Sequence, residues 1–192
     1  MTTDPTTFAR KAATAIDPVL IGISLLIATP DHAGVIAGLH AETFHDPWST
    51  EAIERLLEAD TAIAFYAALR KPQTPCGFVI GRLGGADAEI VSIGVVDSAR
   101  RQGVGRALLG GFCRAAALAG AERAIFEVGA TNAAALALYR SDGFEQVGTR
   151  ADYYTLPDGG SEDALLLARE LDSVLIPGPG GRIARRDGAS GG

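Results

Sequence analysis

Midway along the chain, between an apolar run ending at Val96 and an amphipathic pattern starting at Val104, stands Arg100-Arg101-Gln102-Gly103-Val104-Gly105-Arg106. Closely spaced glycines let backbone N–H groups converge without Cβ atoms in the way, and a helix start adds positive potential. Such a junction cradles a pyrophosphate, with Arg100, Arg101 and Arg106 adding charge. The helix it opens carries Val104, Leu108, Phe112 and Ala116 on one face and ends near Gly120. A dinucleotide-binding turn fails on three counts. It wants a third glycine where Leu108 stands, a place after the first strand of its unit, and a parallel sheet upstream.

The upstream pattern is antiparallel instead. The apolar run Val19–Ala28 is about half of what a bilayer crossing requires. With Asp17-Pro18 on its edge it reads as a first buried strand, over about 21–28, and not as a signal-peptide core. A helix follows from Asp31, a fair N-cap, through Val35, Leu39 and Glu42. Phe44-His45-Asp46-Pro47-Trp48-Ser49 then breaks the chain. Ser49 is placed to cap a helix running to about Ala59, with Trp48 before the cap and Ile53 at its fourth position, the staple arrangement. Strands Ala62–Leu69 and Gly77–Leu83 flank the turn-rich Arg70–Pro75, and Gly84-Gly85-Ala86-Asp87 leads into a third, Glu89–Val96.

Beyond the helix at Gly103 come a strand Arg123–Val128, a short helix from Asn132 to about Arg140, a strand from Gly143-Phe144 and a last one around Ala164–Ala168. The crossover from Glu89–Val96 to Arg123–Val128 is a right-handed parallel unit by default. The expected class is α/β in the broad sense (α+β): a mixed sheet with antiparallel N-terminal strands, a central parallel βαβ unit, and helices on both faces.

At 192 residues the chain fits one domain with tails. Residues 1–17 read as a flexible leader, 18–172 as the folded domain, and 173–192, rich in glycine and arginine, as a flexible tail. A net charge of −6 argues against a direct nucleic-acid partner, which needs a basic face, and nothing points to a membrane. The two cysteines, Cys76 and Cys113, form neither a disulfide framework nor a zinc site, so a reducing cytoplasm is the expected compartment. His32, His40 and His45 lie at spacings that do not align ligands on a helix face, and are expected to be surface or capping residues. No metal is expected.

The motifs resemble a known family. Arg100-x-x-Gly103-x-Gly105 is similar to the acetyl-CoA pyrophosphate motif of the GNAT acetyltransferase superfamily. The likeness continues through Ile125-Phe126-Glu127-Val128, Asn132-Ala133-Ala134-Ala135-Leu136-Ala137-Leu138-Tyr139 and Gly143-Phe144. Pro47-Trp48-Ser49, the spacing of Glu127 to Asn132, and Asp152-Tyr153-Tyr154 followed by Glu162-Asp163-Ala164 narrow it to RimI-like ribosomal-protein-alanine N-acetyltransferases. It covers about residues 23–171. Two positions depart from the family pattern: Gly129 stands where an arginine is common, and Val95-Val96-Asp97 where Val-Asp-Pro is usual.

The resemblance implies acetyl-CoA as co-substrate and a protein or peptide N-terminus, an alanine-starting ribosomal protein, as acceptor. An α-amine has an unperturbed pKa near 7.7–8.0, so a modest base suffices, unlike lysine near 10.4. Glu127 stands among apolar neighbours on its strand, where a carboxylate is costly unless used or paired, and strand alternation sets it opposite Phe126 and Val128. By the resemblance Glu127 is the proton acceptor and Tyr139 the donor to the leaving thiolate. It further implies that Ile93, Gly94 and Val95 bind the pantetheine arm through their backbone. Arg100, Arg101, Gln102, Gly103, Val104, Gly105 and Arg106 take the pyrophosphate, and Asn132 both caps its helix and touches the cofactor. Trp48, Tyr153 and Tyr154 are candidates to frame a peptide path. Two other readings stay open: an acetyltransferase of a small-molecule amine or lysine side chain, and a non-catalytic acyl-CoA-binding module. Retention of both Glu127 and Tyr139 speaks against the second.

Overall fold

A computed structural model describes residues 22–70, 73–155 and 159–172; the expected leader (1–17) and the whole of the expected tail (173–192) lie outside them. Among the described residues seven strands form one mixed sheet in the order β1-β2-β3-β4-β5-β7-β6. They are β1 (Ile23–Ile27), β2 (Ala62–Arg70), β3 (Gln73–Gly84), β4 (Asp87–Val95), β5 (Arg123–Gly129), β6 (Glu145–Thr155) and β7 (Ser161–Glu170). The described residues also form four α-helices: α1 (Ala33–Thr43), α2 (Thr50–Leu57), α3 (Val104–Leu118) and α4 (Ala133–Ser141). Every neighbouring pair is antiparallel except β4 and β5, which run parallel across α3. Among the described residues no helix is long and apolar enough to cross a membrane.

Alternation along β3 sets the layers. A Cβ on Gly77 would meet Val104 and Leu108 of α3, whereas the Phe78 ring stacks on His40 of α1. Adjacent strand residues face opposite sides, so α1 and α3 cover opposite faces of the sheet. Val104, Leu108, Phe112 and Ala116, four residues apart on α3, are all buried. They are the face the sequence pattern picks out.

Ser49 caps α2 as expected, its Oγ accepting from the Ala52 N–H at 3.2 Å, with Trp48 before it half-buried against the core and Ile53 fully buried. Ser49→Ala removes that acceptor from an orphan donor and is expected to cost about 1 kcal/mol, read as a lower midpoint in thermal unfolding.

Three expectations are corrected. Asp31 does not cap α1: Pro30–His32 form a 3-10 turn capped at Thr29, whose backbone N–H and hydroxyl both meet the His32 ring, and α1 begins at Ala33. Proline suits the first position of such a turn, which moves the N-cap of α1 from Asp31 to His32. The hairpin between β2 and β3 is tighter than Arg70–Pro75, because pairing continues to Arg70↔Gln73 once a bulge at Ala67/Ala68 absorbs the Pro75 region. Finally, β1 is half-buried and not buried, and among the described residues β2 alone pairs with it.

β7 separates β5 from β6. Its centre, Ala164 to Ala168, holds the buried Ala164, Leu167 and Ala168, while β6 is exposed along nearly its whole length. The apolar strand takes the inner place, and the polar one takes the edge.

Candidate active site

The parallel pair that joins the two halves of the sheet is short. β4 and β5 are registered only over Asp87–Ile90 against Arg123–Phe126. Beyond that point Val91–Val95 and Glu127–Gly129 part, and Val91 is the extra residue of a bulge against β3. A cleft of about 440 Å³ lies along this opening. Glu127, Tyr139, Asn132, Ile93, Trp48 and Tyr154 all line it, joined by His40, Phe44 and Glu162. Six sequence-predicted residues on five different segments thus meet in one place.

Glu127 points away from the buried Phe126 and Val128, as alternation requires. Its side chain is a quarter exposed and its carboxylate paired, with Oε1 2.8 Å from Nη1 of Arg150 on β6. Tyr139 is almost fully buried, edge-on to Phe126 at 4.1 Å and to Phe144 at 6.1 Å. Burial first, then the nearby Tyr154, raises its phenol well above the ordinary range, so it keeps its proton. Tyr154 is also raised, by desolvation and then by Glu127, Tyr153 and Glu162. The Asn132 Oδ1 accepts from the Ala135 N–H at 3.1 Å, the capping expected of it.

Gly103 is the N-cap of α3 with φ 87°, a left-handed geometry that glycine adopts without a Cβ penalty. Among the described residues no side chain caps α3, its first turn holds no acidic residue, and the first bond back along the helix runs from the Ala107 N–H to the Gly103 carbonyl. The amides before Ala107 are therefore the orphan donors of a helix start, which suits an anion. Gly105 has a second reason to be glycine: a Cβ there would stand 3.1 Å from Leu138 of α4.

Side chains in this segment are mostly committed to the protein itself. Arg100 donates to the Val95 carbonyl at 3.1 Å and pairs with Asp97 at 2.8 Å, while Gln102 donates to the Ser98 carbonyl. Arg106 ties α3 to the end of α4 through Asp142 at 2.8 Å and Ser141 at 2.7 Å. Arg101 is exposed with φ 63°. Gly94, Val95 and the segment Arg100–Arg106 lie outside the cleft lining, although Ile93 is in it.

Tyr153 is not in the cleft either. Between Arg150↔Ala164 and Tyr154↔Glu162, β6 carries three residues against one on β7. Asp152 at the bulge has φ 53°; its N–H donates to Asp163 at 3.0 Å and its carboxylate accepts from the Ser161 hydroxyl. The bulge turns Tyr153 outward, half-exposed beneath the Arg150 guanidinium at 5.1 Å, while Tyr154 faces the cleft.

Sequence reasoning missed three residues. Arg150, and a site role for Glu162 beyond its place in a motif, became visible only when β7 was set between β5 and β6. Glu162 accepts from the Thr131 N–H at 2.6 Å and from its hydroxyl at 2.7 Å, which holds its carboxyl below the ordinary range. It also explains Gly129, because a Cβ there would lie 2.7 Å from this carboxylate. The third is His40, expected at the surface but 2% exposed. Its signal was its spacing, since Ala33, Ile36, Leu39 and His40 form the buried face of α1. His32 caps and His45 is exposed, as expected. Both cysteines are buried; burial raises the Cys76 thiol and pushes Cys113 up to about 11. Among the described residues no group of side chains is arranged to hold a metal.

Fold and cleft define a class: an α/β protein whose mixed sheet opens between two parallel strands beside a glycine-started helix. The chain belongs to the acetyltransferase (GNAT) family, whose profile matches residues 35–144. It is 36% identical over 160 residues to an uncharacterized protein of Mycobacterium leprae, a stretch that is 80% of this chain and 41% of that one. The chain thus spans less than half of that relative's length. It is 34% identical over 163 residues to the N-alpha-acetyltransferase RimI of Mycobacterium tuberculosis, covering 80% of this chain and 94% of the relative. The crystal structure of the ribosomal-protein-S18-alanine N-acetyltransferase from Escherichia coli superposes with a TM-score of 0.72 at 25% identity, over 84% of this chain and 99% of that one.

Proposed function

We propose that this chain transfers the acetyl group of acetyl-CoA to the N-terminal α-amine of a protein, an alanine-starting ribosomal protein in particular. One observation carries the reading: a carboxylate, Glu127, and a buried, protonated phenol, Tyr139, line one cleft at the opened seam of the sheet. The relative named as an N-alpha-acetyltransferase, matched over most of both chains, supports the α-amine as acceptor. The ribosomal-protein-alanine enzyme of the same fold supports the substrate class.

Acetyl-CoA, when bound, supplies a thioester carbonyl and a thiolate leaving group. The uncapped amides at the start of α3 fit its pyrophosphate, and the parted end of β4 through Ile93, Gly94 and Val95 fits its pantetheine arm. Glu127 accepts a proton from the incoming ammonium at its carboxylate, a site that Arg150 occupies as counter-ion until the substrate arrives. Tyr139 holds its proton for release to the departing sulfur. Asn132 keeps α4, and with it Tyr139, in place through the cap.

The test is incubation with acetyl-CoA and short peptides that differ in their first residue, read by mass spectrometry. An acetyl group on the α-amine, with alanine first favoured, is the expected result. Modification confined to a lysine side chain, or no turnover with any peptide, would overturn it.

A further inference from the structure

Within the cleft wall, His40 is placed unlike any other titratable group among the described residues. Its ring stacks on Phe44 at 4.4 Å and 29°, on Trp48 at 4.7 Å and 26°, and on Phe78 at 5.6 Å and 26°. Its Nδ1 accepts the backbone N–H of Trp48 at 3.3 Å. A nitrogen that accepts a hydrogen bond carries no proton, so the neutral ring holds its hydrogen on Nε2. His40, Phe44 and Trp48 all line the cleft. One imidazole thus joins the end of α1 to the segment leading into α2.

We infer that His40 is the positioning residue of this wall: as a neutral imidazole it holds Phe44 and Trp48 in place for the acceptor substrate, and on taking up a proton it releases them. A proton added at Nδ1 meets the Trp48 N–H, donor against donor, and turns to the carbonyl of its own residue. Trp48 then loses its acceptor. The substrate half of this inference rests on the function proposed above.

The surroundings decide which form prevails. Burial lowers the His40 pKa from its ordinary 6.5, more than its own backbone carbonyl and Asp46 raise it. Of the elements packed on it, β3 presents the apolar Phe78 and β4 presents Ile90, Val91, Ser92 and Ile93 to the same cleft. Glu127, Glu162 and the phenols Tyr139 and Tyr154 also line that space. Ring faces attract a cation weakly, which returns part of the desolvation cost. Because the folded protein favours neutral His40, the stabilisation is whole above 6.5 and is lost as pH falls below it towards the folded pKa.

Trp48 is the single tryptophan of the chain, so its fluorescence reports the stack directly. The full-length protein is titrated from about pH 8 to 5, where His changes charge. Wild type is expected to lose Trp48 emission with a midpoint below 6.5. His40→Gln offers an oxygen to the Trp48 N–H without titrating and should give a flat trace. His45→Gln, with its change three residues from Trp48, should keep the transition. A flat wild-type trace, or a transition that survives in His40→Gln, overturns the inference. In parallel, KM for an alanine-starting peptide is measured across the same range. One pH unit below the midpoint only about a tenth of the molecules keep the wall, so KM should rise about tenfold in wild type relative to His40→Gln. The two proteins share the substrate's own titration, and equal trends would sink the role in substrate positioning. Failure of every peptide to react would remove the proposed acceptor, while fluorescence would still decide whether His40 holds the wall. Where His40→Gln fails to fold, the wild-type and His45→Gln traces decide.

Discussion

Glu127→Gln is expected to slow turnover on an alanine-starting peptide by about 10²–10⁴-fold while leaving acetyl-CoA affinity nearly unchanged, the usual worth of a positioned general base. Proton transfer matters in the transition state, whereas the start of α3, the proposed pyrophosphate site, contributes backbone donors far along the chain from Glu127. Glutamine keeps the shape and an acceptor oxygen for Arg150 but takes up no proton. The variant should recover partly at high pH, where an α-amine with pKa near 7.7–8.0 is already neutral. Tyr139→Phe should cost a similar factor without that recovery, because the thiolate still leaves unprotonated. A pH–rate profile at saturating acetyl-CoA separates the two. Near wild-type rates for both variants across the range would leave the ion pair with Arg150 and the ring contacts with Phe126 and Phe144 as their whole purpose.

Phe112→Ala is expected to be the most damaging change away from the cleft. The side chain is fully buried, and its ring lies so close to Gly81 of β3 that a Cβ there would stand 2.3 Å from it. Truncation removes the ring and leaves a cavity between α3 and the sheet, at a typical cost of about 3–5 kcal/mol. Domains of this kind carry about 5–15 kcal/mol in total, so a large share of stability is at stake. Thermal unfolding should show a midpoint lower by on the order of 10 °C. A shift of only a degree or two would mean that Gly81 and its neighbours collapse into the gap.

Arg150 and Glu162 give the cleft an arrangement of charge that a linear reading does not contain. Glu127 is neutralised by a guanidinium from β6, and Glu162 is held by the neutral donors of Thr131. Gly129 fits this arrangement sterically, since a Cβ there would stand 2.7 Å from the Glu162 carboxylate, which would have to shift from its place on Thr131. The departure from the family pattern is therefore matched by a partner 33 residues away on another strand (162 − 129).

What the sequence determines by itself is what depends on neighbours along the chain. The four-residue spacing of Val104, Leu108, Phe112 and Ala116 marks the buried face of α3, and alternation around Glu127 gives its direction on β5. Ser49 and Asn132 announce their caps because the donors they satisfy lie three residues on. What only the tertiary structure decides is which distant segments become neighbours. The insertion of β7 between β5 and β6 follows from competition between an apolar and a polar strand for the inner place, and it brings Arg150 to Glu127. The bulge that sends Tyr154 inward and Tyr153 outward depends on Asp163 and Ser161 across the ladder. His40 reads as one histidine among three until α1 is laid on the sheet. There the cost of burying it is met by three rings and one backbone N–H, two of the rings from other segments, Trp48 and Phe78.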